Sequence, residues 1–273
     1  MTENRTAGFP APLPVKTRKI TASIYGVYEG AGANSYFITG KNSMLVIDAK
    51  MTEESGKAVL EEVRKVSALP VSKMLITHSD RDHVNGLSAF PTGIKIISSE
   101  ITKTEMKYEF EAGGLSALFQ YLPSETFSDK YSLDFDGKKL ELYHIGPGHT
   151  GGDTIIHFPA EKTAFIGDLI FIGRPPLIHR QKNGSSTGLL NSLKFLLSLD
   201  CENYLSGHAD PAVKKDVEEV FNRISSTREK VLALKARGKS MEEMKIAMGV
   251  VDMEPPPGRP KFPSIEEVIY MEK

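Results

Sequence analysis

THSDRDHVNG, residues 77–86, places two histidines and two aspartates within the six positions from His78 to His83. The stretch follows directly on VSKMLI (71–76), an apolar run of the kind that forms a buried strand. Side chains two apart in an extended segment point the same way, so His78 and Asp80 share one side. Asp82 and His83 are adjacent and diverge, which lets them serve a second point nearby. The pattern suits a pair of metal ions better than one; the alternative is a polar loop that only resembles a site.

Three further polar clusters stand at the exits of apolar runs: GPGHTGGD (146–153), FIGDLIF (165–171) and YLSGHAD (204–210). They contribute His149, Asp168 and His208. Singly, each has a plain explanation, such as a Gly-rich turn or an Asp that accepts backbone hydrogen bonds. Together they weigh more, because strand ends hold ligands on a rigid frame while leaving them reachable.

Residues 1–19 read as an irregular, Pro-containing lead-in, 20–250 as one domain, and 251–273 as a Pro-rich C-terminal arm. From Ile20 come the strand-like runs ITASIYGVYE, NSYFITG and SMLVIDA. Val59, Leu60, Val63 and Val66 sit at helical spacing within 53–68. Strands are expected at 93–99, 124–128, 138–145, 154–158 and 163–167, and helices at 100–121, 187–199, 211–236, 240–248 and 264–271. Gly113 and Gly114 interrupt the first of these helices. MEPPPGRPKFP (253–263) can be neither regular helix nor central strand. Two β-then-α blocks, 20–121 and 124–236, suggest a sheet sandwich flanked by helices.

A formal net charge of −1 supplies no global field to recruit nucleic acid or an anionic membrane, so neither is a favoured partner. The single cysteine, Cys201, excludes an internal disulfide framework and a thiolate-rich zinc site, and it suits a reducing, cytoplasmic setting. No run reaches the ~18 apolar residues of a membrane span. The first nineteen residues hold no continuous apolar core, as a secretory signal would.

The four clusters, in this order and spacing, resemble the metallo-β-lactamase fold superfamily. Its signature runs HxHxDH, then a His in a GHT turn, an Asp after a strand, and a late His. NSYFITGKNSMLVIDA and GPGHTGGDTIIHFPAEKTAFIGDLIF are similar to the family's opening hairpin and middle block. The resemblance covers residues 20–210 and implies an α/β fold, a four-layer αββα sandwich. It also implies that His78, Asp80 and His149 bind one divalent metal ion, that Asp82, His83 and His208 bind a second, and that Asp168 bridges them. Asp82 and Asp168 are then the catalytic carboxylates, and Asp48 and Thr77 support the ligands from behind. His144, His157 and His179 match no ligand position. The first two read as structural histidines, and His179, in RPPLIHR, as a substrate contact. The loops around 26–34, 99–124 and 172–187 are implied to recognise the substrate.

Asp80 stands where the family has a histidine. A carboxylate is a harder ligand than imidazole, which moves preference from zinc towards iron or manganese. Two divalent ions, a bridging hydroxide, Asp82 and Asp168 leave one net positive charge; Asp80 brings the centre to neutral. On this reasoning Asp80→His should raise zinc affinity. The reading favoured is a hydrolase whose metal-bound hydroxide attacks an ester, thioester, lactone or amide-type bond of a small molecule. The alternatives are a di-iron redox protein, a nuclease or phosphodiesterase of the same fold, or a module with a weakened metal site. Lys214, Lys215, Arg228, Lys230, Lys235 and Arg237 are either a solvated helix face or an anion-binding segment. The Pro-rich arm suggests a homodimer, since an extended segment is usually ordered by packing on something else.

Overall fold

Apolar side chains alternate along the strands and so decide which layers can form. In β4 (Met44–Ile47) all four residues are buried, yet they serve two cores. Met44 and Val46 join a cluster with helical residues, whereas Leu45 and Ile47 join one between two sheets. That is the period-two geometry of a strand covered on both faces. The computed structural model describes residues 14–252, 255 and 261–272. Most of the tail expected to be extended, 253–263, lies outside the described residues.

The first sheet has seven strands in sequence order: β1 (Lys16–Lys19), β2 (Ile24–Tyr28), β3 (Ser35–Thr39), β4, β5 (Val71–Leu75), β6 (Lys95–Ser99) and β7 (Glu125–Phe127). It is antiparallel from β1 to β4 and parallel from β4 to β7. The second sheet has the order β12-β11-β10-β9-β8, with β8 (Lys130–Phe135), β9 (Lys138–Tyr143), β10 (Ile155–Phe158), β11 (Thr163–Gly167) and β12 (Asn203–Ser206).

Ile38, Ile47, Leu75 and Ile97 of the first sheet meet Phe135, Leu142, Phe158 and Phe165 of the second in a buried layer. Outside the first sheet lie α1 (Glu53–Val66) and α3 (Glu100–Ala112), packed through Val59, Val63, Met106 and Phe110. Outside the second lie α4 (Ser186–Ser198), α5 (Lys214–Ala236), α6 (Met241–Met248) and α7 (Ile265–Met271). Leu193, Ile224, Met244 and Val268 represent them in the third core. The αββα order is therefore set by three apolar layers, each buried side chain contributing about 1.5–3 kcal/mol. No helix of the described residues is long and apolar enough to cross a membrane.

Three local expectations change. Residues 16–19, expected within the irregular lead-in, form β1 on β2. KTRK carries no apolar alternation to read, because this is a charged edge strand. β8 is a strand that the expectations omit, since only Leu133 and Phe135 of KYSLDF are buried. Its signal is Asp136-Gly137, both with positive φ, the two-residue hairpin turn into β9. Finally, the extended segment ends at Asp80: Arg81–Val84 is a short helix, α2.

On α5, Val217, Val220, Ile224 and Val231 are buried. Arg228 Nη1 lies 2.9 Å from Glu272, and Lys235 Nζ donates to the carbonyls of Tyr270 and Glu272. Two of the six basic residues thus clamp α5 to α7 and are not free for an anion.

Candidate metal centre

Each candidate ligand is delivered by the end of a strand or the turn that follows it. β5 runs through Ile76 into Thr77 and His78; β11 runs into Asp168; β12 runs through Gly207 into His208. Asp82 and His83 come from the first turn of α2, which redirects them after Asp80. His149 sits in the turn between β9 and β10. Asp153 holds that turn, accepting from the backbone N–H of Gly148 and Thr150 at 3.1 Å and from Thr150 Oγ1 at 2.6 Å.

The seven residues converge as three overlapping groups: His78, Asp80 and His149; His78, His83 and Asp168; Asp82, His83 and His208. Within each group the ligand atoms lie within 4.8 Å of one another. Asp168 stands between the others, with Oδ1 3.3 Å from His83 Nε2, and Oδ2 3.1 Å from His208 Nε2 and 3.8 Å from His149 Nε2. Asp82 Oδ2 is 3.0 Å from His208 Nε2. His149 Nε2 is 3.1 Å from Asp80 Oδ2.

The arrangement fits metal ions. His78 Nε2, His83 Nε2 and Asp168 Oδ1 are buried and lack a hydrogen-bond partner. Such orphaned atoms are costly unless something binds them. The other ring nitrogens are committed: His149 Nδ1 donates to the Leu177 carbonyl at 2.8 Å, and His83 Nδ1 to Asp48 Oδ2 at 2.7 Å. Fixing Nδ1 as the donor leaves Nε2 as the free ligating lone pair. Asp48, with φ of 57° in the left-handed region, also accepts from Thr77 N–H and Oγ1.

The charges agree. Burial alone would raise the Asp80 and Asp168 carboxyls, but the surrounding imidazoles hold both well below the usual range. Burial would lower His149 and His208, yet hydrogen bonds to Asp80 and to Asp168 and Asp82 lift them to about 9. Burial likewise opposes His83, but Asp168 and Asp48 raise it well above the ordinary value. A nest of carboxylates that draws protons onto histidines is one that divalent cations can occupy instead.

His179, expected as a substrate contact, is buried, with Nε2 3.3 Å from Asp80 Oδ2. Burial pushes its pKa down to about 4, which leaves a neutral imidazole. It lines a cleft of about 650 Å³ together with Asp80, Asp82, Asp168, Phe171, Arg174, Lys182, His208 and Phe262. Of the three loops implied to recognise substrate, 172–187 supplies Arg174, Leu177, His179, Gln181 and Lys182 to this wall, 99–124 only Glu109, and 26–34 no residue. His144 is tied through Nδ1 to the Asp153 carbonyl. His157 is buried with Nε2 unpartnered, and burial lowers its pKa, so it sits neutral within the sheet.

Several residues here carried no sequence signal. Lys182 Nζ lies 2.8 Å from Asp80 Oδ1. Asn34 and Tyr36 hold the Ser206 carbonyl at the end of β12, at 3.2 and 2.6 Å. Lys50, fully buried and lowered by that burial to about 8, donates to the carbonyls of Glu29 and Ala33 and so fixes the β2–β3 loop. Only the pairing of strands far apart in sequence brings these groups together.

The chain belongs to the metallo-beta-lactamase superfamily, whose family model matches residues 28–208. Among curated proteins it is similar to the 2,4-dinitroanisole O-demethylase subunit alpha of Nocardioides sp. (strain JS1661). The two are 24% identical over 223 residues, 81% of this chain and 65% of that protein. It is also similar to the metallo-beta-lactamase type 2 of Elizabethkingia meningoseptica, 26% identical over 151 residues, 55% of this chain and 57% of that protein. The chain thus spans less than two thirds of the length of either relative. A metallo-beta-lactamase from Pontibacter korlensis shares the fold with a TM-score of 0.65 at 18% identity, over 77% of this chain and 99% of that one.

Proposed function

We propose that the chain is a metal-dependent hydrolase acting on an ester, thioester, lactone or amide-type bond of a small molecule. His78, Asp80 and His149 would hold one divalent ion, Asp82, His83 and His208 a second, with Asp168 between them. The observation that carries this reading is the convergence of unpartnered, buried Nε2 atoms of His78 and His83 on Asp168. When bound, the ions supply Lewis acidity and lower the pKa of water to roughly 7.

The protein's own part follows from the geometry. Asp48 and the Leu177 carbonyl hold the imidazole tautomers. Asp82 and Asp168, both held below the usual carboxylate range, stay ionised and would orient the reacting water by accepting its hydrogen bonds. Phe171, stacked on His208 at 5.9 Å, and Phe262 add apolar surface to a cleft lined largely by polar residues, against which an apolar part of a substrate can lie.

Metal content of protein purified without added metal tests the site, and two equivalents are expected. A panel of chromogenic esters, thioesters, lactones and β-lactams, run with Zn²⁺, Mn²⁺ and Fe²⁺ separately, tests the reaction. Less than one equivalent of metal in that protein, or no turnover of the panel with any of the three ions, would sink the proposal.

A second reading is favoured by the share of this chain that the O-demethylase subunit matches. On that reading the bond cleaved is an aryl methyl ether and the aromatic group lies against Phe171 and Phe262. 2,4-Dinitroanisole therefore belongs in the panel, and release of its phenolate would select this reading.

A further inference from the structure

We infer that Asp80 and Lys182 act as one neutral unit in place of the neutral imidazole that the family motif carries, so that Lys182 restores the charge of the metal centre. This rests on the binuclear reading above. Asp80 divides its two oxygens. Oδ1 takes the Lys182 ammonium at 2.8 Å. Oδ2 faces the imidazole Nε2 atoms of His149 at 3.1 Å, His179 at 3.3 Å and His78 at 3.7 Å. One oxygen is thus committed to a cation of the protein, and the other is left to the metal position.

The pairing is close and shielded. The side chains of Lys182 and Asp80 are 10% and 12% exposed, so solvent screens their attraction little. Lys182 is fixed further by Ser79 Oγ at 3.1 Å, itself a donor to Glu105 at 2.7 Å. Two other carboxylates stand near the ammonium: Glu109 at 3.6 Å has its own cation in Arg81 at 3.4 Å, and Glu105, reached through Ser79, is pushed by burial up to about 7. The charge of Lys182 is therefore available to Asp80.

Two consequences follow. The net charge of the centre equals that of an all-histidine motif, so the loss of Lewis acidity expected from Asp80 alone is cancelled. The effect of Asp80→His also changes sign. In the native background a new imidazole would sit beside a buried ammonium that has lost its nearest carboxylate and keeps only Glu109 at 3.6 Å, itself shared with Arg81, and that poorly compensated charge would repel the adjacent metal. Zinc affinity should fall, whereas Asp80 considered alone predicts a rise.

The test is a double-mutant cycle read by zinc competition against a chromogenic chelator, with far-UV circular dichroism confirming that each variant is folded. Asp80→His is expected to weaken zinc binding about tenfold in the native background and to strengthen it in the Lys182→Met background. Lys182→Arg keeps the charge, so Asp80→His should weaken binding there too. Equal effects of Asp80→His in all three backgrounds, or the same effect in the Lys182→Arg background as in the Lys182→Met background, would overturn the pairing. Wild-type protein that takes up no divalent metal would overturn the binuclear reading itself.

Discussion

Asp48 Oδ2 lies 2.7 Å from His83 Nδ1 and 2.7 Å from Thr77 Oγ1, and Thr77 Oγ1 in turn lies 3.1 Å from His78 Nδ1. One carboxylate therefore orients two imidazoles assigned to different proposed metal positions: directly for His83 and through a hydroxyl relay for His78. Asp48→Asn replaces an acceptor oxygen with a donor or weakens it, and loosens both rings. Partners of this kind typically contribute 10–100-fold to metal affinity, so about that loss is expected at both positions. Stepwise chelator titration checks it, and an unchanged second step would show that Asp48 serves only one ring.

The raised histidines give two pH slopes of opposite sign. An unperturbed imidazole titrates near 6.5, whereas His149 and His208 titrate at about 9 in the folded chain. A raised folded-state pKa contributes stability that is complete below about 6.5 and is lost as pH rises through 9. Asp80 and Asp168, held well below the usual range, contribute stability present above about 3.9 and lost as pH falls through their folded values. Chelated protein should therefore melt lower at pH 9.5 than at pH 6, and His149→Gln should reduce the difference. Metal must displace the same protons, so its affinity should rise from pH 6.5 to 9, by up to about tenfold per unit for each proton released. A flat affinity over that range would remove these histidines from the site.

Much of the site is legible in the sequence because its signals are local. Apolar runs and Gly-rich turns give β5, β9, β11 and β12, and the polar residues past them include every member of the three candidate groups. The edge strands are harder to read. β1 is a charged edge strand without alternation, and β8 shows its period only in Leu133 and Phe135. The role of Asp80 is the least legible. Its chemistry is decided by Lys182, which is 102 positions away and arrives on the loop between β11 and α4. A carboxylate in a motif can be recognised from sequence, but the cation beside it depends on tertiary folding.

The fold should be most sensitive where the two sheets meet. Phe165 is fully buried in β11, in edge-to-face contact with Tyr36 at 5.4 Å, and Tyr36 holds the Ser206 carbonyl at the end of β12. Phe165→Ala removes a large side chain from a packed layer, which typically costs about 3–5 kcal/mol. Urea unfolding of the chelated protein should show that loss, while Phe165→Leu should recover most of it.

Gly207 separates the structural and chemical roles of the β12 terminus. A Cβ at this position would lie 2.3 Å from Asp168 Oδ1 and 2.6 Å from His83 Cε1, both parts of the proposed centre and both buried. Neither neighbour can retreat easily: Asp168 follows β11 directly, and His83 is pinned by Asp48. Gly207→Ala should therefore displace the carboxylate between the two metal positions, at a stability cost of about 1–3 kcal/mol for the overpacking. The apolar layers lie elsewhere, so the far-UV spectrum should remain native. If Asp168 bridges the two proposed positions, metal binding should fall more than about tenfold at both. Loss of only the His208-side ion would mean that Asp168 is a ligand to one metal position and not a bridge.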